Sequence, residues 1–284
     1  MVAVIQDVSQ MHSTAESLRS AGKRIGIVPT MGSLHEGHLC LIRTAKRHAD
    51  VVVTTIFVNP TQFGPGEDYE RYPRDLTRDS SLASLAGTGY IFAPERDSMY
   101  PDGHVTYIHI EKYSSILEGR SRPGHFQGVA TVVAKLFNII KPHVAVFGQK
   151  DAQQVLVIRQ MMRDLNYDIE LVVAPIVREA DGLALSSRNS YLTAEERKQA
   201  PVLFQSLSLA ENLLREGVRA SVRIITEMSE FITSRSSGVI DYISIADNNT
   251  LEELSTIEGH SSVLISLAVW FRATRLIDNQ IVKV

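Results

Sequence analysis

An α/β fold follows from three observations on this sequence of 284 residues. Short runs rich in Val and Ile, at 25–28, 51–58, 90–93, 144–147 and 169–173, have the near-continuous hydrophobicity of strands buried on both faces. Segments with helical spacing lie between them, at about 36–48, 75–86, 126–140 and 151–164. After about residue 190 the alternation stops; helical patterns near 193–217 and 221–236 come together, and strand patterns near 240–246, 262–271 and 273–278 follow. The first two observations predict a Rossmann-like parallel sheet with helical crossovers, and the third a smaller α+β domain. The expected domains are 1–184 and 185–284, and with no Gly-, Pro- or Ser-rich linker at the join they are expected to pack closely.

Residues 7–21 place Val8, Met11, Ala15 and Leu18 on one helical face, and Gly22 stops the helix. Strand 25–28 runs into Pro29-Thr30-Met31-Gly32-Ser33-Leu34-His35-Glu36-Gly37-His38, and Leu39, Ile42, Arg43 and Lys46 then keep helical spacing. This is a strand-to-helix turn, which in a parallel sheet lies at the carboxyl ends of the strands, where ligands bind. Gly32 and Gly37 permit close backbone approach, and the N–H groups and dipole of the helix start favour an anion. His35 and His38 form H-x-G-H, and two imidazoles beside a phosphate site can stabilise charge that develops in transfer. No Gly-Lys-Ser/Thr follows as in a Walker A loop, and the His spacing is not that of H-E-x-x-H. The plainer reading is a Gly-containing turn with two surface histidines.

The strand 51–58 ends in Asn59-Pro60-Thr61-Gln62-Phe63-Gly64, and 64–75 reads as a loop. Val105 to Ile110 alternates and is expected as a strand. Gly119 to His125 is a basic loop in which Arg122 and His125 could clamp phosphate or carboxylate. Residues 126–140 read as a buried helix. Strand 144–147 ends in Gly148-Gln149-Lys150-Asp151, which places Lys150 at the same sheet edge as the two histidines. Asp181-Gly182 is a hairpin-type turn, and Ser186-Ser187-Arg188-Asn189 suits either a helix cap or phosphate contacts.

Composition narrows the function classes. A hydrophobic content of 44% and a charged content of 21% are those of a soluble globular protein. A net charge of −3 gives no overall basic character to suggest a nucleic-acid partner. Cys40 is the sole cysteine, which rules out an intrachain disulfide or a multi-cysteine metal site, and it reads as a buried core thiol. No run reaches transmembrane length and no targeting signal opens the sequence, so no membrane partner and a cytoplasmic location are expected.

Taken together, Pro29 to Gly32 with His35 to His38, Phe57 to Phe63, Arg122 to Val129, Phe147 to Gln154, Asp181 to Asn189 and Arg275 to Asn279 resemble the pantoate–β-alanine ligase family, in the family's order and across nearly the whole chain. H-x-G-H by itself marks only a broad nucleotidyl-transfer superfamily. The resemblance implies an ATP-dependent, AMP-forming amide synthesis with Mg2+. In it (R)-pantoate is adenylated, pyrophosphate leaves, and β-alanine displaces AMP to give pantothenate. It also implies a homodimer.

Residue by residue, the resemblance implies ATP contacts from Met31, Gly32, Ser33, Leu34, His35, Glu36, Gly37, His38, Gly148, Gln149, Lys150, Asp151, Val177, Leu185, Ser186, Ser187 and Arg188. His38 would be the catalytic acid or charge stabiliser, His35 would assist on the phosphates, and Lys150 would neutralise the departing pyrophosphate. Gln62 and Gln154 are implied on pantoate, and Gln62 also on β-alanine. Arg122 and His125 would be further active-site partners. No residue is assigned as a magnesium ligand. Arg272 departs from the family, in which Gly commonly stands before the closing motif.

Three other functions remain to be weighed. A nucleotidylyltransferase would use the same turn, but the two glutamines speak for pantoate. A binding module would not need His38, Lys150 and Ser187-Arg188 together. A tRNA-handling protein would carry an added basic domain, which is missing here. Because 176–190 carries ATP contacts and joins the domains, the second is expected to close over the first when ATP binds.

Overall fold

The structure, a computed structural model, describes residues 2–284 and divides them into two compact units. The first runs to residue 149 and resumes over 153–175; the second comprises 150–152 and 176–284.

The first unit holds a six-stranded sheet whose paired neighbours all run parallel. Its strands are β1 (Ala3–Ile5), β2 (Ile25–Thr30), β3 (Val51–Ile56), β4 (Tyr90–Phe92), β5 (Val144–Gly148) and β6 (Glu170–Ala174), in the order β1-β4-β3-β2-β5-β6. The long helices of this unit are α1 (Val8–Ser20), α2 (Glu36–His48), α3 (Leu76–Ala86), α6 (His125–Ile140) and α7 (Ala152–Asp164), with short α4 (Arg96–Met99) and α5 (Glu118–Ser121) between them. From β2 the chain winds outward through β3 to β4, then returns to the other side of β2 for β5 and β6. The switch point is therefore the β2/β5 pair, and open α/β sheets bind ligands outside the carboxyl ends of such strands. Ile25, Ile27, Val28, Val144, Ala145 and Val146 are fully buried, as strands with helices on both faces require. Val28, Ile42, Ala45 and Val144 belong to one core cluster, which seats α2 on the sheet.

The second unit holds α8 (Ala194–Gln199), α9 (Val202–Arg215), α10 (Ser221–Arg235) and an antiparallel sheet of β7 (Val239–Asp247), β8 (Ser262–Phe271) and β9 (Thr274–Lys283). Leu207, Leu214, Ile224, Met228 and Ile232 from the helices share a core with Ile265, Leu267 and Val269 of β8. No helix among the described residues is long and apolar enough to cross a membrane.

Several expectations are corrected. Val105 to Ile110 forms no strand; the Ile108 N–H donates to the Thr131 hydroxyl of α6 at 2.9 Å instead of to a ladder. Strand β1 gave no periodic signal, being three residues long with only Ile5 buried. The helix expected near 193–217 is two, because Pro201 brings no N–H to continue the first. Cys40 is half-buried rather than a core thiol. The join falls at Pro175/Ile176, ahead of the expected 184/185, because the hairpin around Asp181-Gly182 belongs with the second unit: Leu183 lies in its core, and Arg178 pairs with Asp278.

Candidate active site

The turn after β2 is held from beneath by a residue that the sequence did not single out. Asp79 of α3 is 1% exposed, and its carboxylate accepts the Ser33 N–H at 2.7 Å and the Leu34 N–H at 2.8 Å. Gly32 sits at φ +83°, and a Cβ there would meet Asp79 Oδ2 at 3.0 Å and Ile56 Cγ2 at 3.1 Å, so both conformation and space call for glycine. Thr30 completes the bend, its hydroxyl accepting the Gly32 N–H at 3.2 Å and donating to the Thr55 carbonyl at 2.6 Å.

His35 is the N-cap of α2. Its Nδ1 accepts the Gly37 N–H at 3.2 Å, and His38 Nδ1 reaches back to the His35 N–H at 3.4 Å. The rings lie 4.1 Å apart, centroid to centroid. These reciprocal caps use Nδ1 of both imidazoles as acceptors, which puts the proton of each neutral ring on Nε2. The backbone N–H groups of Ser33, Leu34, His35 and Gly37 are engaged by side chains.

A polar cluster follows β3. Asn59 is 1% exposed; its amide donates to Gln62 Oε1 at 3.0 Å and to the Gly128 carbonyl at 3.1 Å, and its oxygen accepts from Tyr100 at 2.8 Å and Thr61 at 3.0 Å. Gln62 in turn donates to Met31 Sδ at 3.2 Å. Burial pushes the Tyr100 hydroxyl up to about 12, so it stays a donor. Helix α6 approaches this segment so closely that a Cβ on Gly128 would lie 2.3 Å from the Thr61 carbonyl oxygen. At the start of α6, Arg122 makes a two-pronged pair with Glu67, at 2.8 and 2.6 Å, and donates to His125 Nε2 at 3.1 Å. His125 Nδ1–H donates to the Gln62 carbonyl at 2.8 Å. Both ring nitrogens are thus satisfied only in the neutral form. Burial, with the Arg122 charge beside it, pulls the imidazole down to about 4.

The second unit gathers another set. Lys150 Nζ lies 3.9 Å from Asp151, and the Lys150 carbonyl accepts from Asn279 Nδ2 at 2.8 Å. Arg178 grips buried Asp278 through bonds of 2.6 and 3.0 Å, and its guanidinium lies 4.2 Å over the Phe204 ring. Burial pushes the Asp278 carboxyl up against the opposing pull of Arg178. The hairpin closes through Glu179 N–H to Leu183 O at 2.8 Å and Leu185 N–H to Val177 O at 3.0 Å. It delivers Ser186, whose hydroxyl accepts the Arg188 N–H at 3.3 Å and caps the 3-10 helix Ser187–Tyr191.

The sequence profile of the pantoate–β-alanine ligase family matches residues 3–281. The chain belongs to the pantoate–β-alanine ligase family. It is 51% identical over 281 residues to the pantothenate synthetase of Acetivibrio thermocellus, covering 99% of each chain. The crystal structure of pantothenate synthetase from Thermus thermophilus superposes with a TM-score of 0.92 at 44% identity, over 98% of this chain and 99% of that one. The pantoate–β-alanine ligase of Francisella tularensis, solved in complex with beta-gamma ATP and β-alanine, superposes with a TM-score of 0.79 at 34% identity, over 99% of this chain and 97% of that one.

Within this ligase fold the expected site residues fall into two sets. Met31 to His38, Gln62, Gly148, Gln149 and Gln154 lie in the first unit, with Met31 and Gln62 in direct contact. Lys150, Asp151, Val177, Leu185, Ser186, Ser187 and Arg188 lie in the second. Leu34 has its side chain in the core, 1% exposed, and its N–H on Asp79. Glu36 is an exposed partner of Arg43. Of the adjacent glutamines, Gln153 is structural: it accepts from the Glu118 N–H at 3.0 Å and donates to the Tyr113 and Ile116 carbonyls at 2.8 Å each. Gln154, one residue on, is half-buried on α7. Sequence reasoning missed Asp79, Asn59 and Tyr100 as organisers of the site. Asn59 could have been found from its place directly after a strand; Asp79, far along the chain, gave no such signal.

Proposed function

We propose that this protein joins (R)-pantoate to β-alanine, consuming ATP and releasing AMP and pyrophosphate. The observation that carries the reading is the H-x-G-H turn, clamped by Asp79 and self-capped through Nδ1 of both imidazoles, in a chain whose residues 3–281 match the family. A carboxylate resists attack by an amine until its leaving group is improved. In the proposed sequence a pantoate carboxylate oxygen attacks the α-phosphorus of ATP, and the bond to pyrophosphate breaks. The neutral amine of β-alanine then attacks the acyl carbonyl, AMP leaves, and the nitrogen gives up a proton.

His38 and His35 donate Nε2–H to the phosphate oxygens on which charge accumulates, and Lys150 neutralises the departing pyrophosphate together with Ser186, Ser187 and Arg188. Gln62 holds pantoate: Asn59 fixes its amide, and one amide proton beyond that given to Met31 is available to a substrate oxygen. Gln154 is its second partner, and Gln62 also serves β-alanine. Gly148, Gln149, Asp151, Val177 and Leu185 contact the nucleotide. Among the described residues no group of three or more His, Cys, Asp or Glu is gathered to hold a metal. Mg2+ would accompany ATP and supply charge neutralisation at its phosphates. Because the adenylate is open to hydrolysis, closure of the second unit over the nucleotide belongs to the same reading; scattering profiles identical with and without ATP and pantoate would reject it.

A cytoplasmic homodimer completes the proposal. Val105 is 83% and Tyr107 48% exposed on an extended segment outside the sheets, an apolar surface suited to a second copy. A monomer mass by light scattering would overturn that part. The activity is tested by incubating the purified protein with ATP, Mg2+, (R)-pantoate and β-alanine. Pantothenate by mass, and AMP that requires every component, is the expected result. AMP transfer to a phosphate acceptor instead would indicate a nucleotidylyltransferase.

A further inference from the structure

The last strand carries Asp278 and Asn279, which the proposed chemistry does not use. They are 2% and 3% exposed, at adjacent positions of a strand whose Leu276 and Val282 serve the core in the ordinary way. Two consecutive buried polar residues cost stability unless each finds partners. Adjacent strand residues point to opposite faces, so the pair reaches two segments at once. Asp278 takes both prongs of Arg178, which also donates to the Gly182 carbonyl at 3.1 Å and so ties down the hairpin stem. That stem runs directly into Ser186-Ser187-Arg188, and Asn189 donates back to the Ala184 carbonyl at 3.1 Å. Asn279 donates to the Lys150 carbonyl at 2.8 Å, and its own N–H is held by Asp278 Oδ1 at 2.8 Å. One dipeptide on β9 thus fixes the backbone of Lys150 and the stem of the Ser186–Arg188 segment, although these lie far apart in sequence.

We infer that Asp278 and Asn279 are positioning residues that hold Lys150 in register with Ser186, Ser187 and Arg188 for the departure of pyrophosphate. The inference rests on the role proposed above for Lys150, and it assigns the closing motif to the adenylation half-reaction alone.

Asn279→Ala removes the donor to the Lys150 carbonyl. Pantoate-dependent exchange of pyrophosphate into ATP should fall about 10- to 100-fold, the range expected when a charged group is displaced by a fraction of an ångström to an ångström. Amide formation from supplied pantoyl adenylate and β-alanine should stay within about two-fold of the parent. In a Lys150→Ala background the same substitution should cost less than about two-fold, because the group it positions is gone. A merely structural role would lower both half-reactions alike, or cost as much without Lys150 as with it, and either result overturns the inference. If circular dichroism shows Asn279→Ala unfolded, Asn279→Ser, which keeps a shorter donor, is measured in the same three comparisons against the same criteria. A parent protein without pantoate-dependent exchange would reject the ligase reading, whereas an active parent with undiminished exchange in Asn279→Ala rejects this inference.

Discussion

Replacing Asp79 by Asn tests whether the H-x-G-H turn depends on a clamp outside its own sequence. The carboxylate accepts two backbone N–H groups, from Ser33 and Leu34, at 2.7 and 2.8 Å, and it is 1% exposed. An amide of the same shape keeps one acceptor oxygen and turns an NH2 toward the other N–H. One charge-assisted bond, worth about 1.5–3 kcal/mol, is then lost, and a buried N–H left unpaired costs a further 1–3 kcal/mol or so. Local relaxation recovers part of this, so about 2–3 kcal/mol is the expected penalty on the turn. Expressed wholly at the transition state, that is a loss of about 30- to 150-fold. The assay is pantoate-dependent ATP–pyrophosphate exchange, with thermal melting alongside. Slowed exchange in a protein that still melts cooperatively is predicted. Exchange within about two-fold of the parent, with an unchanged KM for ATP, would refute the reasoning.

Two further predictions concern the frame around the site. His125 is held near 4 against an ordinary 6.5, so as pH falls below 6.5 the unfolded chain takes up a proton that the folded chain refuses. Its contribution to stability is therefore lost between about pH 6.5 and 4, at no more than about 1.4 kcal/mol per pH unit. The drop in Tm from pH 7 to pH 5 should be smaller in His125→Gln; equal drops would contradict the buried neutral imidazole. Arg272 holds φ +48° in the two-residue turn between Phe271 and Thr274. Its 3.5 Å contact with Glu196 comes from a side chain 84% exposed and contributes little. Arg272→Gly should stabilise the protein by about 1 kcal/mol and raise Tm by about 2 °C, measured by calorimetry; a lower Tm would show that the exposed pair outweighs the backbone strain.

The parallel sheet was legible because its strands are buried on both faces and carry continuous Val/Ile runs, and α2 because its apolar spacing starts directly after a Gly-bounded turn. The second unit was legible as a break in alternation, though its boundary was not. The hairpin at 178–184 looks like a connection in sequence and joins the second unit through Arg178–Asp278, which local pattern does not encode. Val105 to Ile110 alternates like a strand, yet its backbone is served by Thr131, a residue of α6. The candidate site residues His35, His38, Gln62 and Lys150 stand in motifs that sequence shows, but their long-range partners do not. Asp79, Asn59, Tyr100, Asp278 and Asn279 act over long separations, and single buried polar residues read in sequence as caps or surface positions. The anion-binding reading of the turn illustrates the same limit. Sequence predicted open backbone donors, whereas Asp79 and the two imidazoles engage those of Ser33, Leu34, His35 and Gly37.

The central claim is that the paired histidines of this turn, with Lys150, carry out adenylation of pantoate. The most direct measurement is exchange of labelled pyrophosphate into ATP with (R)-pantoate present and β-alanine absent, for the parent, His38→Ala and Lys150→Ala. The account predicts exchange in the parent that requires pantoate, and losses of about 100-fold or more in both folded variants. Exchange that proceeds without pantoate, or that survives near parent levels in both variants, would contradict it.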